Sequence, residues 1–140
     1  MAQAALTEIS QADRYRILLE GITDYAIYLL DSGGYVSSWN AGAERFKGYQ
    51  AHEILGEHFS KFYTQEDLSR GLPEQVLRSA LSDGRFEGEG WRVRKDGTKF
   101  WAHVIVDPIR SPTGDLIGFA KVTRDLTEKK NTEEKLHQSR

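Results

Sequence analysis

The chain contains no cysteine, and that absence removes several chemistries at once. Disulfides, thiolate metal sites, thiol nucleophiles and cysteinyl adducts of a cofactor are all excluded, and the composition fits a reducing compartment. Proline is scarce, three in 140 residues, and no Pro/Gly/Ser-rich linker splits the chain. Long apolar runs are missing too. Nothing approaches the ~20 residues that span a bilayer, and the N-terminus lacks the basic and apolar regions of a signal peptide. A cytoplasmic location without membrane insertion is the expectation. Neither sign of charge dominates: a net charge of −2 gives no argument for nucleic acid or for an anionic membrane surface. What is present, 39% hydrophobic and 29% charged residues, suits one soluble globular domain.

The most informative stretch runs from Gly84 to Thr127. Phe86 to Lys95 and Lys99 to Ile109 are aromatic and β-branched, as half-buried strands should be. Between them Asp96-Gly97 is a strong hairpin signal, because glycine tolerates positive φ and aspartate bonds its own backbone. Ser111 to Asp115 is the next turn, and Leu116 to Thr123 a third strand. Immediately after Asp125-Leu126-Thr127 the composition switches to Glu, Lys and Gln. A three-stranded meander therefore feeds directly into a polar helix.

Upstream, Ala2 to Gly21 reads as a helix with an apolar stripe of Tyr15, Leu18, Leu19 and Ile22, extended backwards by Leu6 and Ile9. Such a stripe needs a cover, either its own sheet or a partner subunit. Asp24 to Asp31 and Tyr35 to Trp39 form a hairpin about Ser32-Gly33-Gly34. Asn40 caps a short helix over 41–46, a second covers 51–55, and Thr64 opens a further turn. Pro73 starts a longer helix to about Leu81 with Val76, Leu77, Ala80 and Leu81 inward. The order describes an α+β fold, a five-stranded antiparallel sheet with helices on one face.

Several stretches together resemble a PAS domain of the bacterial sensory-box type. They are Trp39 to Tyr49, Ile54-Leu55-Gly56, Tyr63 to Asp67, Arg94 to Phe100, Gly118-Phe119 and Arg124 to Lys130. The resemblance covers roughly residues 22–130. It implies an N-terminal cap or dimerisation helix over 1–21, a PAS domain with its C-terminal PAC motif over 22–127, and the start of a signalling coiled coil over 128–140. It also implies a cytoplasmic sensory or interaction module without catalysis, the input domain of a sensor histidine kinase or similar two-component protein, linked covalently to an output domain. The family's exit motif, Asp-X-Thr, falls on Asp125-Leu126-Thr127. An acceptor pair at a strand-to-helix junction can cap the outgoing helix and pair with a base on the neighbouring hairpin. Arg94, Lys95 and Arg124 are the candidates.

A light-sensing subset of the family resembles the chain at Lys99-Phe100-Trp101 and Asp107 to Arg110, but its adduct-forming cysteine falls on Phe59. Phe59 therefore excludes a covalent flavin adduct, and the polar readers of the flavin ring fall on Arg92, Ala102 and Thr123, so non-covalent flavin has no positive support and a flavin or haem redox or gas sensor is only a lesser alternative. Haem-binding relatives place a histidine on the long helix before the meander, and here Pro73 to Leu81 has none. Metal-ligand spacing is not visible among the four histidines.

The flavin-contact resemblance also decides which sheet face is inward. Phe100, Ala102, Val104 and Val106 would face the interior with Phe119, Lys121, Thr123, Arg92, Ala26, Tyr28 and Leu30. The ligand pocket so implied is lined by Tyr28, Leu30, Phe59, Phe62, Leu77, Arg92, Ala102, Val104, Lys121 and Thr123. Arg92 and Lys121 are expected to approach a small anionic ligand, or else to reach the rim and pair with Glu44, Glu53 or Glu87. On the other face Trp91, Trp101, His103, Ile105 and Ile117 are too apolar for water. With Tyr15, Leu18 and Leu19 they form the expected surface of a homodimer. The alternative to a sensor is a ligand-free dimerisation spacer whose interior is filled by Tyr28, Phe59, Phe62 and Phe100. No nucleophile–base pair, phosphate loop or paired inward carboxylates support an enzyme.

Overall fold

The structure is a computed structural model and describes residues 10–138. Leu6 and Ile9, expected on the first helix, lie outside them. In chain order the elements are α1 (Gln11–Gly21), β1 (Ala26–Asp31), α2 (Ala41–Lys47), α3 (Ala51–Ile54), a 3-10 turn (Phe59–Phe62), α4 (Gln65–Ser69), α5 (Leu72–Asp83), β2 (Phe86–Val93), β3 (Lys99–Arg110), β4 (Leu116–Asp125) and α6 (Thr127–Gln138). The strands form one antiparallel sheet in the order β1-β4-β3-β2. The hairpin at Asp96-Gly97 forms as its sequence demands. Gly97 takes φ +89°, and Asp96 Oδ1 accepts from the Thr98 amide at 3.0 Å.

The α+β architecture is the expected one, but the sheet has four strands rather than five. Tyr35 and Val36 make only isolated bridges, to His58 and Leu30. Val36 donates to the Glu57 carbonyl and accepts from Gly56. The segment thus divides its backbone hydrogen bonds between β1 and the 56–58 loop instead of extending one ladder.

Strand alternation places the core on one face. Ala26, Tyr28 and Leu30 of β1, Phe100, Ala102, Val104 and Val106 of β3, and Phe119, Lys121 and Thr123 of β4 are all buried. The helical segment covers them. On α5, Val76 and Ala80 are buried and Leu77 packs at the edge, but Leu81 is exposed. The buried stripe is Pro73, Val76 and Ala80, at i, i+3 and i+7, and Leu81 falls beside it.

Asn40 ties the opening of the fold together. Its Oδ1 accepts from the Ala43 amide, capping α2, and from the Ile27 amide of β1, both at 2.9 Å. Its Nδ2 donates to the carbonyls of Leu19, Ile22 and Tyr25. Gly42, in the first turn of α2, lies so close to β1 that an added Cβ would stand 2.0 Å from the Tyr25 carbonyl oxygen.

Within one chain α1 does not cover the outer sheet face. It contacts α2, buries none of its residues, and leaves Tyr15, Leu18 and Leu19 exposed, Leu18 at 63%. Trp91, Trp101, His103 and Ile105 are half-buried, with Ile117 exposed. The element beside them is α6, whose Lys130 Nζ sits 4.0 Å from the Trp101 ring centroid. No helix among the described residues is long and apolar enough to cross a membrane.

Candidate ligand site and exit junction

The sheet register brings the interior polar groups together. Tyr28 and Lys121 are cross-strand partners on β1 and β4. Thr123 lies opposite Ala26 and Val104, and Arg92 opposite Phe100. A further cation comes from the helical layer. Lys47, the last residue of α2, stands four positions after the buried Ala43, on the inward side, and is itself fully buried. Gly48 then stops the helix in the left-handed conformation at φ +85°.

Aromatic rings surround these cations. Lys47 Nζ is 4.0 Å from the Phe62 ring centroid and 5.3 Å from that of Tyr28. Lys121 Nζ is 5.1 Å from Phe59 and 5.5 Å from Tyr28, Phe62 and Tyr63. The Arg92 guanidinium stacks over Tyr63 at 4.1 Å. Cation–π attraction offsets only part of the loss of hydration of a buried ammonium. Burial therefore pushes both lysines well below the ordinary lysine value, and the neighbouring cations, Arg92 for Lys47 and Lys47 then Arg92 for Lys121, push the same way. Burial raises the Tyr28 and Tyr63 hydroxyls above the ordinary tyrosine value, with the Arg92 charge opposing it.

The hydrogen-bond inventory is one-sided. Arg92 donates from Nη1 to its neighbour's carbonyl, Trp91 O, at 2.9 Å and from Nη2 to Tyr63 Oη at 3.4 Å. Its Nε, together with Lys47 Nζ, Lys121 Nζ, Tyr28 Oη and Thr123 Oγ1, is buried without a partner. The Tyr28 and Thr123 hydroxyls are neighbours but fall outside hydrogen-bonding geometry. Nor do the expected rim pairs form. Glu53 pairs with Lys95, and Glu87 with His103.

All ten expected lining residues face the interior, Leu77 only at its edge. Phe59 is fully buried where a photoactive cysteine would stand, its ring 5.5 Å from that of Tyr63. Lys47 is the residue the sequence reading missed, although its spacing from Ala43 and from the Asn40 cap gave its direction. Two of the four histidines have protein partners. His58 lies 3.0 Å from the Gly33 carbonyl through Nε2 and accepts from Ser60 at Nδ1, and His103 meets Glu87.

The exit junction begins a few residues away. Arg94, just after β2, donates from Nη2 to Asp125 Oδ2 at 2.6 Å and from Nε to the Phe46 carbonyl at 2.9 Å. Its guanidinium also lies 4.7 Å from the Phe100 ring centroid. The backbone amide of Lys95 donates to the Lys47 carbonyl, while the Lys95 side chain is taken by Glu53 rather than by Asp125. Arg124 points elsewhere, over Tyr25 at 5.6 Å. Asp125 Oδ1 accepts from the amide and hydroxyl of Thr127. Thr127 Oγ1 accepts from the Trp101 amide at 2.9 Å, and the Leu126 amide donates to the Trp101 carbonyl at 2.7 Å. The start of α6 is thus fixed to β3 by backbone and to the end of α2 through Arg94.

Comparison with known proteins agrees with this architecture. Two-component system protein A of Emericella nidulans is 50% identical over 121 residues, covering 86% of this chain and 18% of that protein. The cell-division control histidine kinase PdhS of Brucella ovis is 31% identical, covering 94% of this chain and 12% of its own length. The chain therefore spans less than a fifth of these curated relatives. In three dimensions it is similar to the PAS domain of a Colwellia psychrerythraea protein, with a TM-score of 0.77 at 22% identity, covering 85% of this chain and 99% of that one. Residues 24–128 match the family described as PAS domain, and the chain belongs to that family.

Proposed function

We propose that this chain is a non-catalytic, cytoplasmic sensory module of a two-component protein, in which a change in the interior is relayed to α6 and to a covalently linked output domain such as a histidine kinase. The observation that carries this reading is Arg94, which hydrogen-bonds the end of α2 through Phe46, packs on Phe100 of the core and pairs with Asp125, the last residue of β4, whose carboxylate caps Thr127 of α6. A shift of α2 or of the β2–β3 turn reaches α6 through one side chain. The names of the relatives, a two-component system protein and a histidine kinase, support the signalling context. Such a relay needs two states with different ligand affinity. Its test is a fusion of the chain to a histidine-kinase core. Asp125→Asn and Arg94→Ala are expected to change the autophosphorylation rate several-fold, and unchanged rates would refute the relay.

The module is further proposed to act as a homodimer in which the exposed stripe of Tyr15, Leu18 and Leu19 meets the face of Trp91, Trp101, His103 and Ile105. A monomeric mass by light scattering at high concentration would count against this. The dense aromatic interior of Tyr28, Phe59, Phe62 and Phe100 favours a second reading, a ligand-free spacer. The two readings differ in whether any small molecule stabilises the fold.

A further inference from the structure

We propose that Lys47, Lys121, Arg92, Tyr28 and Thr123 together form a binding site for a small carboxylate. This rests on the sensory reading above and names the chemistry of its signal. Five buried atoms without partners converge on the interior: Tyr28 Oη, Lys47 Nζ, Arg92 Nε, Lys121 Nζ and Thr123 Oγ1. Each can donate a hydrogen bond, and Arg92, like either lysine once it is protonated beside an anion, can do nothing else. Buried polar groups in folded proteins are normally satisfied, so five orphans in one place call for an explanation. The set lacks the group that would complement it, one that only accepts. A carboxylate is that group, with two oxygens and about four lone-pair directions.

Charge points the same way. Three basic side chains are buried, and the one buried acid among the described residues, Asp67, is held by Arg70. Lys47 and Lys121 share the rings of Tyr28 and Phe62, and Lys121 shares Tyr63 with Arg92, so the three cations are neighbours around one aromatic cage. One anion placed among them would pair all three. Phe59, Phe62 and Phe100, all fully buried, wall the cage with hydrocarbon. The site also adjoins the relay, because Lys47 follows the residue whose carbonyl binds Arg94.

The test is a thermal-shift titration of the full chain at constant ionic strength. The panel is formate, acetate, propionate, oxalate, malonate and succinate, with acetamide and propionamide as uncharged isosteres and chloride and nitrate as inorganic anions. At least one carboxylate is expected to raise the melting temperature by roughly 3–6 °C at ten times its dissociation constant, with no shift from the amides. Lys121→Met and Lys47→Met are expected to weaken binding at least tenfold. A direct readout on the unmodified chain is the 15N lysine side-chain spectrum, where the Lys47 and Lys121 ammonium signals should appear or move on saturation. No carboxylate shift, equal shifts with chloride or nitrate, or undiminished binding in both methionine variants would each overturn the proposal. Binding is read on this chain alone and the relay on the kinase fusion. Carboxylate binding with a fusion indifferent to Asp125→Asn would therefore refute the relay and leave the site standing.

Discussion

Arg94 Nη2 lies 2.6 Å from Asp125 Oδ2, while Nε of the same guanidinium bonds the Phe46 carbonyl. Both side chains of the ion pair are 26% exposed, so the pair is neither screened like a surface bridge nor fully desolvated. Asp125 in turn caps Thr127. Arg94→Ala is expected to lower stability by about 1 kcal/mol and to speed amide exchange over the first turns of α6. Urea unfolding and hydrogen exchange read the two effects. Unchanged exchange at Lys129 to Thr132 would show that Arg94 does not restrain the helix.

Lys121→Met should stabilise the ligand-free chain. The lysine amine is buried beside two other basic groups without a hydrogen bond, whereas methionine, unbranched and one atom shorter, sets an apolar group in the same aromatic surroundings. A gain of about 1–2 kcal/mol is expected from urea midpoints. A loss of similar size would mean that the amine contributes to the ligand-free fold.

Stability should rise with pH through the mildly alkaline range. Unfolded, Lys47 and Lys121 return to the ordinary 10.5, while burial holds their native values well below it. Between the two values the unfolded chain binds more protons, so raising the pH favours the folded state, by up to about 1.4 kcal/mol per pH unit for each lysine. Near pH 10 the trend is opposed, because unfolded Tyr28 and Tyr63 ionise at about the ordinary 10.0 while burial raises both in the folded chain. Urea midpoints at pH 7, 8 and 9 test the slope, and Lys121→Met should remove about one proton from it.

Asn40→Ala removes one helix cap and leaves the Ile27 amide and three carbonyls without their side-chain partner. The expected loss is about 2–4 kcal/mol. A loss below 0.5 kcal/mol would show that water replaces Asn40 freely.

The meander was legible in the sequence because its signals are local. Asp96-Gly97 fixes a turn, and period-two alternation fixes the faces once one inward residue is known, which is why Phe100, Ala102, Val104, Lys121 and Thr123 all lie as expected. Tyr35 to Trp39 read as a strand, yet its pairing is decided by the distant 56–58 loop, which no local pattern encodes. Leu81 fits the apolar spacing of α5 but misses its narrow buried stripe. Lys47 was overlooked because lysine at a helix end normally serves the exposed C-terminus. Here Ala43 and the tight approach of Gly42 to Tyr25 turn that end inward. Asp125 pairs with a base of the neighbouring hairpin, but the choice of Arg94 over Lys95 and Arg124 depends on Glu53 and Tyr25, which only the folded chain places nearby.

The proposed interior anion site would act on the outgoing helix through Arg94. Hydrogen exchange over Thr127 to Gln138, with and without the best-binding carboxylate, tests that link most directly. Carboxylate binding is expected to change exchange rates in α6 at least threefold in the native chain and not in Arg94→Ala. Binding that leaves α6 exchange unchanged, or changes it equally in Arg94→Ala, would contradict the account.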